Sequence, residues 1–165
     1  MKRIQDDRGQ TVVEFTLMLP FILFGLFAII EFGYAFYNQI TINHAASEAS
    51  RYAAVANSYD AACSGASIQG RARSTSNGLI SAADCADPDV VDVRYQADGT
   101  GQVGRGAGVA VEIAYTYDSI TPLPALANFL TGGLFPESWP ITACSDSRLE
   151  AIPTGSTPAG ADCDD

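Results

Sequence analysis

The hydrophobic pattern changes character twice along this chain. From Phe15 to Ile30, sixteen residues (FTLMLPFILFGLFAII) carry no charge, and apolar side chains continue past Glu31 through Phe32, Tyr34, Phe36 and Tyr37. A membrane-crossing helix needs about 20 mainly apolar residues. Val12 to Tyr37 supplies them, with Glu14 and Glu31 set near the two membrane faces. A helix apolar on every side requires cover from lipid or from a large core, and the rest of the chain is too small to provide the core. Further on, Ile42, Ala45, Ala46, Ala49, Tyr52, Ala53 and Ala56 recur at intervals of three and four, a narrow apolar stripe at helical spacing. Its alanines suit close packing onto the outer domain's own sheet, the simpler reading, or onto a partner helix; one long helix accommodates both. The predicted helix runs from Thr11 to Val55 and would be about 65 Å long.

The period then shifts. Residues 66–82 predict a second, weaker helix, interrupted by Gly70 and Gly78. Val91, Val93 and Tyr95 alternate with Asp92 and Arg94, and Val109, Val111, Ile113, Tyr115 and Tyr117 alternate with Ala110, Glu112, Ala114 and Thr116. Both stretches predict half-buried strands. Ile141 to Glu150 predicts a third, with Thr142, Cys144, Asp146 and Arg148 on its polar face. A short helix, Leu123 to Leu130, lies between the last two strands and is closed by Gly132 and Gly133. A long helix against a small antiparallel sheet of about three strands, with short helices, is α+β in class. The tail, AIPTGSTPAGADCDD, is expected to be irregular unless Cys163 ties it back.

Charge orients the chain and removes one class of partner. Lys2, Arg3 and Arg8 crowd the amino-terminal side of the apolar run, and the next basic residue after it is Arg51. The positive-inside rule places the amino terminus in the cytoplasm and residues 38–165 outside. That outer part carries six basic and fifteen acidic side chains, a net of −9. A domain so acidic is repelled by a phosphate backbone, so nucleic acid is excluded as a partner, while the apolar run makes membrane lipid an expected one. All four cysteines, Cys63, Cys85, Cys144 and Cys163, fall in the outer part. An even count on an oxidising side predicts two disulfides, with three pairings open. The single histidine, His44, and the lack of any CxxC pair argue against zinc.

The opening segment is unlike a cleavable secretory signal, because its apolar run ends in bulky aromatics rather than small residues. Aromatic side chains there suit a membrane–water interface. Leu19-Pro20 inside the run predicts a kink at Pro20, where proline removes a helical hydrogen bond. Gly25 and Gly33, eight apart, are a weak signal for close helix approach. At the other end, a short charged leader stops at Gly9, Gln10 follows, and Glu14 is the fifth residue after the glycine. This arrangement resembles the precursor signal of type IV pilins and pseudopilins. The resemblance implies that a membrane prepilin peptidase cuts after Gly9, leaving Gln10 as the new amino terminus, where many mature pilins begin with Phe. Glu14 then has two readings. Its carboxylate pairs with the α-amino group of a neighbouring processed subunit and sets the register of a helix bundle, since an unpaired charge in a bilayer costs a few kcal/mol or more. Alternatively it reaches to the interface and meets the helix N-terminal dipole.

The stretch RGQTVVEFTLMLPFILFGLFAIIEFGYAFYNQITINHAASEASRYAAV resembles the TadE-like minor pseudopilins of tight-adherence (Flp) type IV pilus systems. The features that carry it are Arg8-Gly9, Val13-Glu14-Phe15, Leu19-Pro20, Glu31-Phe32-Gly33 and the alanine-rich run from Ala45 to Ala53. More loosely, Ala114-Tyr115-Thr116-Tyr117 and Thr121-Pro122-Leu123 resemble a segment of the same family's outer domain. The resemblance implies a leader over 1–9, a transmembrane and extended helix over 10–56, and an extracytoplasmic domain over 57–165. It implies a single-pass protein of the bacterial inner membrane, at the pilus base or in the fibre. The implied partners are the prepilin peptidase, other minor pseudopilins and the pilus assembly machinery.

Other candidate chemistry is thin. Gly99 to Gly104 matches GxGxxG, but it lies between two strands, where a hairpin loop is the better reading than a dinucleotide site. Asp84, Asp87, Asp89 and Asp92 cluster beside Cys85, but their spacing matches no EF-hand loop, so a solvated acidic loop is favoured over calcium. His44 is spaced to pair with Glu48 on a helix surface, as Ser47 is with Arg51, and no serine sits in a glycine elbow. No metal, no cofactor and no catalytic residue is expected, and the chain is read as a structural assembly protein rather than an enzyme. The alternative is a single-pass membrane-anchored extracytoplasmic binding module unrelated to pili.

Overall fold

The computed structural model describes residues 7–55, 63–97, 101–152 and Cys163. The chain forms a helix α1 (Asp7–Ala54), a short helix α2 (Ile68–Thr75), strands β1 (Val91–Tyr95) and β2 (Gly108–Asp118), a helix α3 (Leu123–Thr131) and a strand β3 (Ser138–Arg148). The three strands form one sheet in the order β1-β2-β3. The α+β class and the antiparallel sheet predicted from the hydrophobic periods are therefore both present.

The chain divides into two compact units. One holds α1 through Ala35 together with Asp118–Ser138; the other holds Phe36–Tyr117 and the chain from Trp139 onward. The core lies in the second unit. β1 pairs antiparallel with β2, setting Val91 opposite Ile113, Val93 opposite Val111 and Tyr95 opposite Val109. All six side chains are buried, because a period of two sends them to the same face of the sheet. Ile42, Ala45, Ala46, Ala49 and Ala53 of α1 join this cluster, with Ile68 and Ala72 of α2. Alanine is the right size here, since it lets the helix backbone approach the sheet without a void.

The outer face of the β1–β2 pair sets Asp92 directly opposite Glu112. Two like charges in that position repel. Arg94 resolves the clash by forming ion pairs with both carboxylates. β3 extends the sheet from β2. Backbone bonds join Leu149 to Ala107 at one end and Ser119 to Glu137 at the other, an antiparallel register. In that register Trp139 faces Tyr117, and their rings stack with centroids 6.3 Å apart.

Three expectations need correction. The second helix covers only Ile68–Thr75 and runs through Gly70 rather than breaking there. A Cβ at Gly70 would lie 1.8 Å from the Ser64 carbonyl oxygen, so the glycine serves a close backbone approach. The helix stops ahead of Asn77 and Gly78, both of which take positive φ. The third strand starts at Ser138, earlier than Ile141, and includes Pro140. β3 is an edge strand, where proline's missing N–H is tolerated. Glu48 pairs with Arg71 of α2 at 3.1 Å, and the expected helix-surface partner, His44, is exposed.

Two disulfides close the loops. Cys63 bonds Cys85 and Cys144 bonds Cys163, which selects one of the three open pairings. The GxGxxG loop falls between β1 and β2, with no helix following it in residues 101–107, so it lacks the helix N-terminus that a pyrophosphate needs. The acidic cluster is used in local turns. Asp84 accepts from the Ser81 N–H at 3.2 Å, and Asp87 from the Asp89 N–H at 3.0 Å. Among the described residues no group of three or more His, Cys, Asp or Glu side chains is placed to hold a metal ion.

Candidate functional site: the amino-terminal helix

The first half of α1 is built unlike the second. Its large apolar side chains point outward; Phe21 is 76% exposed and Ile29 72% exposed. The most apolar eighteen-residue stretch has no buried residue at all. Such a surface is costly in water, at about 25 cal/mol for each Å² of apolar area. This is the one helix among the described residues long and apolar enough to cross a membrane, and it fits a single-pass anchor.

The residues singled out from the sequence lie along this helix. Gly9 is in its first turns and exposed, and a Cβ there would meet nothing within 4 Å. Glu14 is exposed one turn later, and its carboxylate accepts a 3.1 Å hydrogen bond from the Gln10 side-chain amide. Gln10 and Glu14 are thus brought together by helical spacing alone. Pro20 lies inside the helix, which continues through it. Its missing N–H leaves the Thr16 carbonyl without the usual helical donor. The Thr16 hydroxyl donates in turn to the Val12 carbonyl at 2.8 Å. Gly25 and Gly33 are equally open, with nothing within 4 Å of a built Cβ. The four disulfide cysteines lie away from this segment of the sequence, in the residues that follow α1.

Glu31 gained a role that its sequence position did not announce. Only 6% of its surface is exposed. Its carboxylate accepts from the Thr121 backbone N–H at 3.1 Å and from the Thr121 hydroxyl at 2.5 Å. Thr121 lies in the connection from β2 to α3, within the same compact unit. The available signal was an acidic residue ending a long apolar run. Its partner, ninety positions away, was not legible, because periodicity reports faces of elements rather than the pairing of loops.

The second half of α1 is the reverse of the first. Ser50 is fully buried, and its hydroxyl meets those of Ser145 and Ser147 on β3, each at 3.1 Å. The last turn of the helix is closed by the Glu150 N–H, which donates to the Ala54 carbonyl at 2.8 Å. One of the four orphan carbonyls at the helix end is thereby satisfied.

Residues 9–51 match the family model described as TadE-like protein, the family whose resemblance the opening motifs carry. The match begins at Gly9 and ends within α1, so it covers the helix and less than half of the chain. No curated protein and no solved structure matches the chain.

Proposed function

We propose that this chain is a minor pseudopilin that acts in the assembly of tight-adherence (Flp) type IV pili. α1 anchors it in the inner membrane with the amino terminus in the cytoplasm. A prepilin peptidase cuts after Gly9, and Gln10 becomes the amino terminus. The observation that carries this reading is a coincidence of boundaries. The TadE-like match starts at Gly9, directly after Arg8, the last basic residue before the apolar run, and just ahead of the outward-facing apolar side chains that begin at Val12.

Glu14 supplies the assembly chemistry. In the uncut chain its carboxylate has the Gln10 amide as a partner. Cutting after Gly9 places a cationic α-amino group on Gln10, one helical turn away. Two processed helices side by side then exchange amine and carboxylate, and the cost of a lone charge in lipid selects one axial register. The outer domain presents the surface that other minor pseudopilins and the assembly machinery contact.

The test is the intact mass of the protein recovered from membranes with and without the cognate prepilin peptidase. Loss of residues 1–9 is expected only with the peptidase present, and Gly9→Ala is expected to stay at full length. A full-length mass in the presence of the peptidase overturns the reading.

A further inference from the structure

The connection between β2 and β3 has the composition of a membrane contact. From Ser119 to Pro136 there is no charged residue, although Asp118 and Glu137 flank the stretch and the surrounding outer part carries a net of −9. α3, inside it, is built with its polarity inverted. Pro124 and Ala127 are buried, while Leu126 and Phe129 face outward. Phe129 is 85% exposed, and Leu134, just beyond the helix, is 78% exposed. Large apolar residues turned outward are shared with the first half of α1 and are not the pattern of a water-facing domain.

Two further observations say what covers this surface. The first is depth. Glu31, which accepts both bonds from Thr121, is the residue that ends the charge-free run of the membrane helix. The connection is therefore tied to α1 at the end of its charge-free run, three residues before Tyr34, a residue type that favours the membrane–water interface. The second is polar accounting. The Asn128 side-chain oxygen accepts from the Phe135 N–H at 2.8 Å, and the Thr131 hydroxyl donates to the Ala127 carbonyl at 2.7 Å. Gly132 takes the left-handed conformation, so both its N–H and that of Gly133 reach the Asn128 carbonyl. At the carboxyl end of α3 these polar groups find their partners within the segment, as a lipid environment favours.

We infer that residues 119–136 form a second membrane contact, with α3 lying in the lipid interface of the outer leaflet and Glu31 fixing its height. Nine helical residues span only about 13 Å, too short to cross a bilayer and suited to lying along its surface. The contact is driven by apolar burial, since the segment carries no charge for lipid headgroups to attract. The inference rests on the membrane-anchor part of the proposed function and is independent of pilus assembly.

The test uses the full chain in phosphatidylcholine vesicles. Trp139→Phe removes the single tryptophan and keeps a ring against Tyr117. On that background one reporter is introduced at a time: Phe24→Trp in α1, Phe129→Trp in α3, and Arg105→Trp in the exposed β1–β2 loop. Lipids brominated at a shallow or a deep acyl position then quench the fluorescence. Phe24→Trp and Phe129→Trp are expected to be quenched at least about twofold more than Arg105→Trp, with Phe129→Trp responding best to shallow bromines. Adding Glu31→Ala is expected to weaken that shallow preference. Water-like emission from Phe129→Trp, with Phe24→Trp quenched, overturns the inference and leaves the anchor intact. Blue-shifted but unquenched emission also overturns it, since a protein partner then covers α3. Absence of quenching at Phe24→Trp removes the anchor reading, and the inference falls with it.

Discussion

α1 is one continuous helix made of two kinds of surface. From Val12 to Ile40 it carries mostly large apolar side chains that stand exposed; from Ile42 to Ala53 it carries alanines that the core buries completely. Backbone geometry is common to both halves, so helix propensity does not distinguish them. Side-chain volume does. Large residues extend an apolar surface outward to a fluid environment that adapts to any shape. Small ones bring a rigid sheet to close range, where packing is unforgiving. The same helix is thus written for two solvents, lipid and protein.

The largest effect that sharpens this contrast lies in the second unit. Replacing Cys63 and Cys85 by serine opens a loop spanning 22 positions and is expected to cost about 3 kcal/mol of stability. Thermal unfolding of the full chain in detergent, followed by near-UV circular dichroism, measures it. Ala49→Leu forces a larger side chain into a fully buried position and should cost about 1–3 kcal/mol in the same assay. Ser50→Ala leaves Ser145 and Ser147 without their shared partner, with an expected loss of about 1 kcal/mol. Phe21→Ala, a much larger truncation by volume in the exposed half, is expected to change unfolding of the second unit by less than about 0.5 kcal/mol. Equal effects from Ala49→Leu and Phe21→Ala would break the comparison.

The smallest effect is a pH dependence. Tyr95 is buried, and burial raises its phenol above the ordinary 10.0. The folded protein therefore holds that proton when the unfolded chain has lost it, so stability is unaffected below 10.0 and declines as pH rises past it. The hydroxyl has no hydrogen-bond partner among the described residues. Tyr95→Phe should be close to neutral at pH 7 and should flatten the alkaline decline in unfolding temperature.

The elements with strong periodicity were legible in the sequence. Val91, Val93 and Tyr95 alternate without interruption, and the alanine stripe holds its spacing over three turns, so burial follows directly from face. Glycine was harder. Gly70 looked like a helix breaker because its propensity is poor, while the deciding fact was the Ser64 carbonyl in contact with it. Propensity is local, and a close approach is not. The edge position of β3, which lets it keep Pro140, was hidden for the same reason: strand order is absent from the hydrophobic pattern. At the proposed site, the bond between Gln10 and Glu14 follows from their four-residue spacing on one helix. The bond between Glu31 and Thr121 was not legible, since nothing in either neighbourhood encodes the other.

The hydrogen bond from Glu150 to the Ala54 carbonyl has a kinetic consequence. The final turn of α1 is completed by a residue that follows all three strands. A helix forms in about a microsecond, whereas contacts between distant parts of a chain must first meet the entropy of closing the loop between them. Folding of the second unit is accordingly governed by long-range closure, with the end of α1 completed only once β3 is in place.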